Sequence, residues 1–127
     1  MNRILILTKY LPAFLQVFII SLFFGNEFKR RKFTFISELN LYFFLDRFNN
    51  LGQSIINHGV YEKETADLIT NSLKENSVFF DVGANEGYFS VIAAQKNSKG
   101  FNYLFEPQSR LYKIIEQNFT KNNLNNY

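Results

Sequence analysis

A strand that runs into a tight glycine loop and out into a helix constrains everything near it, and this chain has one such passage. Val78-Phe79-Phe80-Asp81-Val82 is a β-prone apolar run carrying an acid. Gly83-Ala84-Asn85-Glu86-Gly87 is a short turn bracketed by glycines, and Tyr88 to Lys96 is compatible with a helix. Glycine suits such a loop because it lacks a Cβ and accepts positive φ. The helix that follows leaves its first backbone N–H groups without partners, and these can face an anionic ligand group.

Downstream, Asn97-Ser98-Lys99-Gly100 turns the chain back, and Phe101 to Phe105 reads as a second strand ending at Glu106-Pro107. Ser109 can cap a last helix from Arg110 to about Lys121, whose apolar stripe is Leu111, Ile114, Ile115 and Phe119. Residues 122–127 read as a loop. The order strand, loop, helix, strand, acid, helix describes a right-handed βαβ unit with a parallel pair. Glu106 lies 19 residues beyond Gly87. A carboxylate at about that distance from a glycine loop is where nucleotide-type ligands have their ribose hydroxyls accepted. A carboxylate can accept two hydroxyl hydrogens at once. Dinucleotide sites favour G-x-G-x-x-G, whereas here Gly83 and Gly87 are separated by three residues and preceded by Asp81. That spacing favours S-adenosylmethionine, with Asn85 at the middle glycine position; Asn tolerates positive φ better than most residues. The competing reading of Asp81 and Glu106 is a pair of ordinary strand-end carboxylates.

Upstream, Tyr61 to Glu75 reads as an amphipathic helix with Tyr61, Leu68, Ile69 and Leu73 near one face, and Glu62, Glu64 and Asp67 early, where negative charge suits the dipole. Ser54 to His58 reads as a short helix ended by Gly59. Histidine is the residue type suited to base chemistry near neutral pH, which makes His58 a candidate base; the preferred reading is a polar residue at a helix C-terminus, where a cation is favoured. Asn49-Asn50-Leu51-Gly52 marks a loop. Phe33–Ile36 and Leu39–Leu45, joined by Ser37-Glu38, read as a β-hairpin.

The chain has 127 residues, enough for one ordinary domain. It lacks Cys, which excludes disulfides and cysteine-based zinc or nucleophile sites. With one His and no carboxylate cluster, no metal site is expected. Of the net charge of +3, residues 1–32 hold six basic groups against one acid, and the rest hold eight against ten. Nucleic-acid binders spread basic residues over a working face, so no nucleic-acid partner is expected. The basic residues instead flank Ile4-Leu5-Ile6-Leu7 and the apolar run from Tyr10 to Phe24. That run is short for a transmembrane helix of roughly 17–25 residues, and Phe23-Phe24-Gly25-Asn26 is a poor signal-peptide cleavage site. A helix starting near Pro12 and stopping at Gly25-Asn26 is the remaining reading, packed on the domain or lying on a membrane with Lys29–Lys32 toward anionic headgroups. The sequence is thus read as a cytoplasmic protein, with peripheral membrane contact through residues 10–32 left open.

Asp81-Val82-Gly83-Ala84-Asn85-Glu86-Gly87-Tyr88-Phe89-Ser90, with Phe105-Glu106-Pro107 downstream and Gly59-Val60-Tyr61-Glu62 upstream, resembles the FkbM family of S-adenosylmethionine-dependent methyltransferases. The likeness covers roughly residues 33–127 and is strongest over Tyr61–Pro107. It implies an α/β, Rossmann-like class I methyltransferase fold, apparently truncated after the second parallel strand, with a β-hairpin and its lead-in (residues 33–60) before it; the N-terminal helix segment (residues 1–32) is read from the residues alone. Residues 61–127 would then be the N-terminal half of the cofactor-binding domain. The family's sheet has seven strands, of which two are written here. The chain is therefore read as the amino-terminal part of a longer protein, or else as an inactive truncated remnant or membrane-associated module without turnover. By position, the resemblance implies that Gly83, Asn85 and Gly87 let the backbone approach the methionyl part of S-adenosylmethionine. Asp81 would orient the loop or meet the cofactor's amino group, Glu106 would accept the ribose hydroxyls, and Pro107 would lie beside the adenine. Tyr61 and Glu62 are candidates near the methionyl end, or simply the start of a helix. The reaction implied is methyl transfer to a hydroxyl of a small molecule, glycan or lipid. No general base can be named.

Overall fold

The computed structural model describes residues 11–24 and 26–127. Ile4–Leu7, Tyr10 and the proposed helix stop at Gly25 lie outside them. The chain divides into two compact units, Met1–Arg31 and Lys32–Tyr127.

In the first unit, helix α1 spans Ala13–Phe24. Pro12 precedes its first turn, and its carbonyl accepts from the N–H groups of Leu15 and Gln16. At 12 residues, α1 is about 18 Å long, against about 30 Å of bilayer hydrocarbon. Among the described residues no helix is long and apolar enough to cross a membrane. Phe14, Phe18 and Leu22 are exposed, and their spacing of four puts them on one side of the helix. α1 ends at Phe24, just before Gly25-Asn26 as expected, and Asn26 also starts the next helix. Its side chain accepts from the Lys29 N–H at 2.9 Å and caps the short helix α2, Glu27–Arg30. Asn has this role because its side-chain oxygen replaces a missing intrahelical acceptor.

The second unit opens with the antiparallel hairpin β1 (Lys32–Ile36) and β2 (Leu41–Leu45), with Lys32 opposite Leu45 and Ile36 opposite Leu41. The connection is Ser37–Asn40 rather than Ser37-Glu38 alone, with Asn40 at φ 54° making the left-handed turn. Leu41, Phe43 and Leu45 point inward to the core, while Phe33, Phe35, Tyr42 and Phe44 line the outer face.

Asn49-Asn50-Leu51-Gly52 proves to be the start of a helix, not a loop. The Asn49 side chain accepts from the Gly52 N–H at 2.7 Å, so helix α3 runs Asn50–His58. Asn-rich composition suggests a loop until the cap geometry is known, because the same residue type favours both. Helix α4 is Lys63–Ser72, shorter at both ends than the expected Tyr61–Glu75. Its buried residue is Ala66, and Leu68 is 66% exposed rather than on the packed face.

The expected strand–helix–strand unit follows: β3 (Val78–Val82), α5 (Tyr88–Lys96) and β4 (Phe101–Phe105), with β3 and β4 parallel from Val78 opposite Phe101 to Val82 opposite Phe105. The last helix, α6, is Ser109–Lys121. Its N-cap position falls on Gln108, without a side-chain cap, so Ser109 lies inside the helix and does not cap it. Among the described residues the second unit is thus a small α/β domain with two two-stranded sheets, one of them parallel. Tyr88, Val91, Ile92 and Ala94 of α5 and Ile115 and Phe119 of α6 share one core with the hairpin and α3.

α6 also closes the open edge of β2. The Asn118 Oδ1 accepts from the Phe44 N–H at 2.6 Å. Asn122 both accepts from the Tyr42 N–H at 2.8 Å and donates to the Tyr42 carbonyl at 2.7 Å. Residues four apart on a helix lie on one side, so two side-chain amides do what a neighbouring strand would do. Asn118 further donates through Nδ2 to the Glu86 carbonyl at 2.8 Å. Replacing Asn118 with Ala should therefore destabilise the fold by about 3 kcal/mol, since each buried polar group losing its partner costs about 1–3 kcal/mol. Urea denaturation is the measurement, with Asn122→Ala, at the more exposed end, costing less.

Candidate functional site

The backbone of the glycine loop visits the left-handed region three times, with φ of 86° at Gly83, 51° at Asn85 and 76° at Gly87. At Gly83 a side chain would meet nothing within 4 Å, so conformation alone requires glycine. At Gly87 a Cβ would also come within 3.3 Å of Ile115. The loop is held from the neighbouring strand. The Phe105 carbonyl accepts from the N–H groups of Gly83 at 2.8 Å and Ala84 at 3.1 Å.

Glu106 bridges the loop and the next helix. Its Oε2 accepts from the Asn85 N–H at 2.9 Å, and its Oε1 accepts from the Gln108 N–H at 2.8 Å. Each carboxylate oxygen has a further lone pair, so hydroxyl donors can still be accepted. Asp81, half-buried on β3, accepts at Oδ2 from the Ser90 hydroxyl at 2.5 Å. Ser90 is fully buried in the first turn of α5, so this contact ties strand to helix across the loop. It fits a loop-orienting role for Asp81.

At the carboxyl ends of β3 and β4 lies an open cleft of about 680 Å³, lined by Val82, Gly83, Leu104, Phe105, Glu106, Pro107 and Tyr112. Gly83, Glu106 and Pro107 of the sequence-derived set line it together. Asp81 and Gly87 lie in the scaffold beside it, and the Asn85 amide is carried on the Glu106 carboxylate. A smaller hollow of about 210 Å³ continues past Leu104, Glu106 and Tyr112 to Tyr127. Apolar and aromatic walls with one carboxylate suit a ligand with a flat apolar part and hydroxyl groups. Among the described residues no cluster of three or more His, Asp and Glu side chains could hold a metal ion.

Tyr61 and Glu62 do not line this cleft. They precede α4, with Glu62 itself left-handed at φ 42°. The Tyr61 N–H donates to the Tyr88 hydroxyl at 3.2 Å, and the Tyr61 ring packs near Tyr88 and Phe89. Hydrogen bonding to Glu62, then burial and the Glu62 charge, raise the Tyr61 phenol above its ordinary value. His58 is exposed in the last turn of α3.

Three participants escaped the sequence reading. Tyr112 could have been found from its place one turn into α6, just past the Glu106-Pro107 corner. Ser90 has a partner nine residues away, and no local pattern signals it. Glu86, 3% exposed, accepts at Oε1 from the Asn49 amide at 2.6 Å, a long-range contact invisible in sequence.

Compared with models of known protein families and with curated proteins, the chain matches none.

Burial raises the Tyr88 phenol above its ordinary value, partly opposed by the Tyr61 N–H, which favours the phenolate. A raised folded-state pKa holds the proton more tightly than the unfolded chain does, so the associated stability is complete below about pH 10 and is lost as pH rises through the folded pKa. Urea midpoints taken from neutral to alkaline pH should fall more steeply in the wild type than in Tyr88→Phe. At neutral pH that variant should lose only about 0.5–1.5 kcal/mol, for one hydrogen bond.

Proposed function

We propose that residues 61–127 form the cofactor-binding part of an FkbM-type S-adenosylmethionine-dependent methyltransferase with a Rossmann-like class I fold. The transfer would be to a hydroxyl of a sugar, lipid or secondary metabolite. Held beside Gly83, Glu106 and Pro107, S-adenosylmethionine would supply a sulfonium methyl group to that hydroxyl, leaving as a thioether while the hydroxyl proton goes to a base. Enzymes speed such transfers largely by positioning the partners. The observation that carries the reading is the joint geometry at the strand ends. A loop with left-handed Gly83, Asn85 and Gly87 is held by Glu106 across two parallel strands, beside a cleft lined by Gly83, Glu106 and Pro107. Open α/β sheets bind ligands at this end of their strands.

A binding module without turnover is the second reading. It is favoured by the cleft lining, whose titratable side chains among the described residues are Glu106 and Tyr112, with Glu106 already engaged by two backbone amides. Titration calorimetry with S-adenosylmethionine tests both at the binding step. Wild-type protein should bind, and Glu106→Ala should weaken binding about tenfold or more, consistent with lost hydrogen bonds to a charged acceptor. Glu106→Gln, which keeps an acceptor oxygen, should fall between. No binding by the wild type, or preference for NAD, would overturn the assignment. Methyl transfer to a hydroxyl acceptor would separate enzyme from module.

For residues 10–32 we propose peripheral contact with an anionic membrane. The exposed Phe14, Phe18 and Leu22 of α1 and the basic Lys29 and Arg30 in the last turn of α2 support it. The protein should pellet with phosphatidylserine-containing vesicles and be released at about 1 M salt, where the screening length is about 3 Å. Recovery in the supernatant with neutral and anionic vesicles alike would end this proposal.

A further inference from the structure

The hairpin has two edges, and the chain treats them differently. On the outer edge of β2 the N–H groups of Tyr42 and Phe44 donate to the side chains of Asn122 and Asn118, so both point away from β1. Antiparallel ladders alternate between pairs that exchange N–H and C=O groups and pairs whose groups point outward on both sides. Phe35 is opposite Tyr42, and Phe33 is opposite Phe44. The N–H and C=O groups of Phe33 and Phe35 therefore point away from β2, along the other edge of β1. Among the described residues nothing bonds to them there. Edges of this kind are usually blunted by a charge, a proline or a bulge, and β1 from Phe33 to Ile36 carries none of these. Helix α5 stands between the hairpin and the parallel pair. Its Tyr88 ring packs 4.9 Å from Phe43 of β2, and Ser90, on the opposite side of the helix, bonds to Asp81 of β3. Strands added to the parallel pair would extend that sheet and leave the edge of β1 as it is.

We propose that this edge pairs with β1 of a second copy of the chain, antiparallel across a twofold axis at Thr34. The inference does not depend on the methyltransferase reading, and it shares no residue with the cleft. In this register Phe33 faces Phe35 of the second copy, so every outward N–H of these residues meets a C=O. Sliding the pair by one full pleat in either direction leaves half of these groups unpaired. Thr34 faces Thr34 across the axis, a favourable cross-strand pair, and the rings of Phe33 and Phe35 meet on the outer face. Lys32 faces the apolar Ile36, so no like charges oppose each other. The edge is thus its own complement, which selects a second copy as the occupant. Growth stops there, because each outer edge of the joined sheet is a β2 already held by Asn118 and Asn122. The contact closes as a dimer.

The test is light scattering after size exclusion on the full chain over a concentration series. The wild type should run at twice the 15.0 kDa chain mass and dissociate on dilution. Phe35→Pro removes an outward N–H, which an edge strand tolerates, and should weaken association about tenfold or more with circular dichroism unchanged. Phe80→Lys on β3 and Leu68→Lys on α4, both exposed elsewhere, should leave the dimer intact. The register has its own test in this cysteine-free chain. Thr34 and its mate form a pair without ladder hydrogen bonds, whose Cα atoms lie about 4.5 Å apart, within disulfide reach. Thr34→Cys should therefore form a disulfide-linked dimer with oxidised glutathione about tenfold faster, or more, than Phe35→Cys or Leu68→Cys. Cysteine is close to threonine in size, so this variant decides the matter if Phe35→Pro does not fold. A monomeric wild type, a ladder of larger species, or loss of association on Phe80→Lys would overturn the proposal. So would a dimer that survives a folded Phe35→Pro, or cross-linking at position 35 or 68 as fast as at 34.

Discussion

The second unit depends on one buried amide. Asn118, 1% exposed on α6, accepts from the Phe44 N–H on the hairpin and donates to the Glu86 carbonyl in the glycine loop. A side-chain amide carries both a donor and an acceptor, so it can join two backbones that have no direct ladder between them. The hairpin and the parallel pair are separate sheets, and α6 is the element through which they are held in register. Inside the core such a bond is strong because water cannot compete for its partners.

The same logic governs the candidate site. Glu106 grips the Asn85 and Gln108 amides, and so fixes the loop and the start of α6 before any ligand arrives. Asp81 and Ser90 lock β3 to α5 on the other side of the loop. A cleft bounded by a loop held from two sides loses little freedom when a ligand enters, which favours binding. The carboxylate expected to meet the ligand is therefore also part of the scaffold, and its removal acts on both.

A second buried polar cluster shapes the outer side of β4. Asn97 and Asn102 exchange amide hydrogen bonds at 3.2 Å, and Asn102 donates through both its backbone N–H and its side chain to the Asn126 carbonyl. Asn126 in turn donates to the Ala94 and Asn97 carbonyls. Residues 124–127, which read as a polar loop from composition, are thereby pinned beside the edge of β4. On the opposite side of the sheet nothing polar is needed, and the aromatic face follows directly from strict alternation along two short strands.

The βαβ unit was legible in the sequence because its signals are local. Val78–Val82 and Phe101–Phe105 match the observed strands, Tyr88–Lys96 matches the helix, and Gly83 and Gly87 stand where positive φ is needed. The hairpin and the helix after Pro12 were legible for the same reason. Helix boundaries governed by capping were not. Asn49 begins a helix where a loop was expected, Asn26 caps a short helix that was not expected, and α4 gives up Tyr61 to a contact with Tyr88. Within the site, the sequence determined which loop and which acid lie at the strand ends. Only the tertiary structure decided that Glu106 holds that loop, that Ser90 and Glu86 support it, and that Tyr112 completes the wall. Periodicity and turn chemistry act over a few residues and can be read along the chain. Hydrogen bonds such as Asn118 to Glu86 join residues far apart in sequence, and they exist only once the chain has packed.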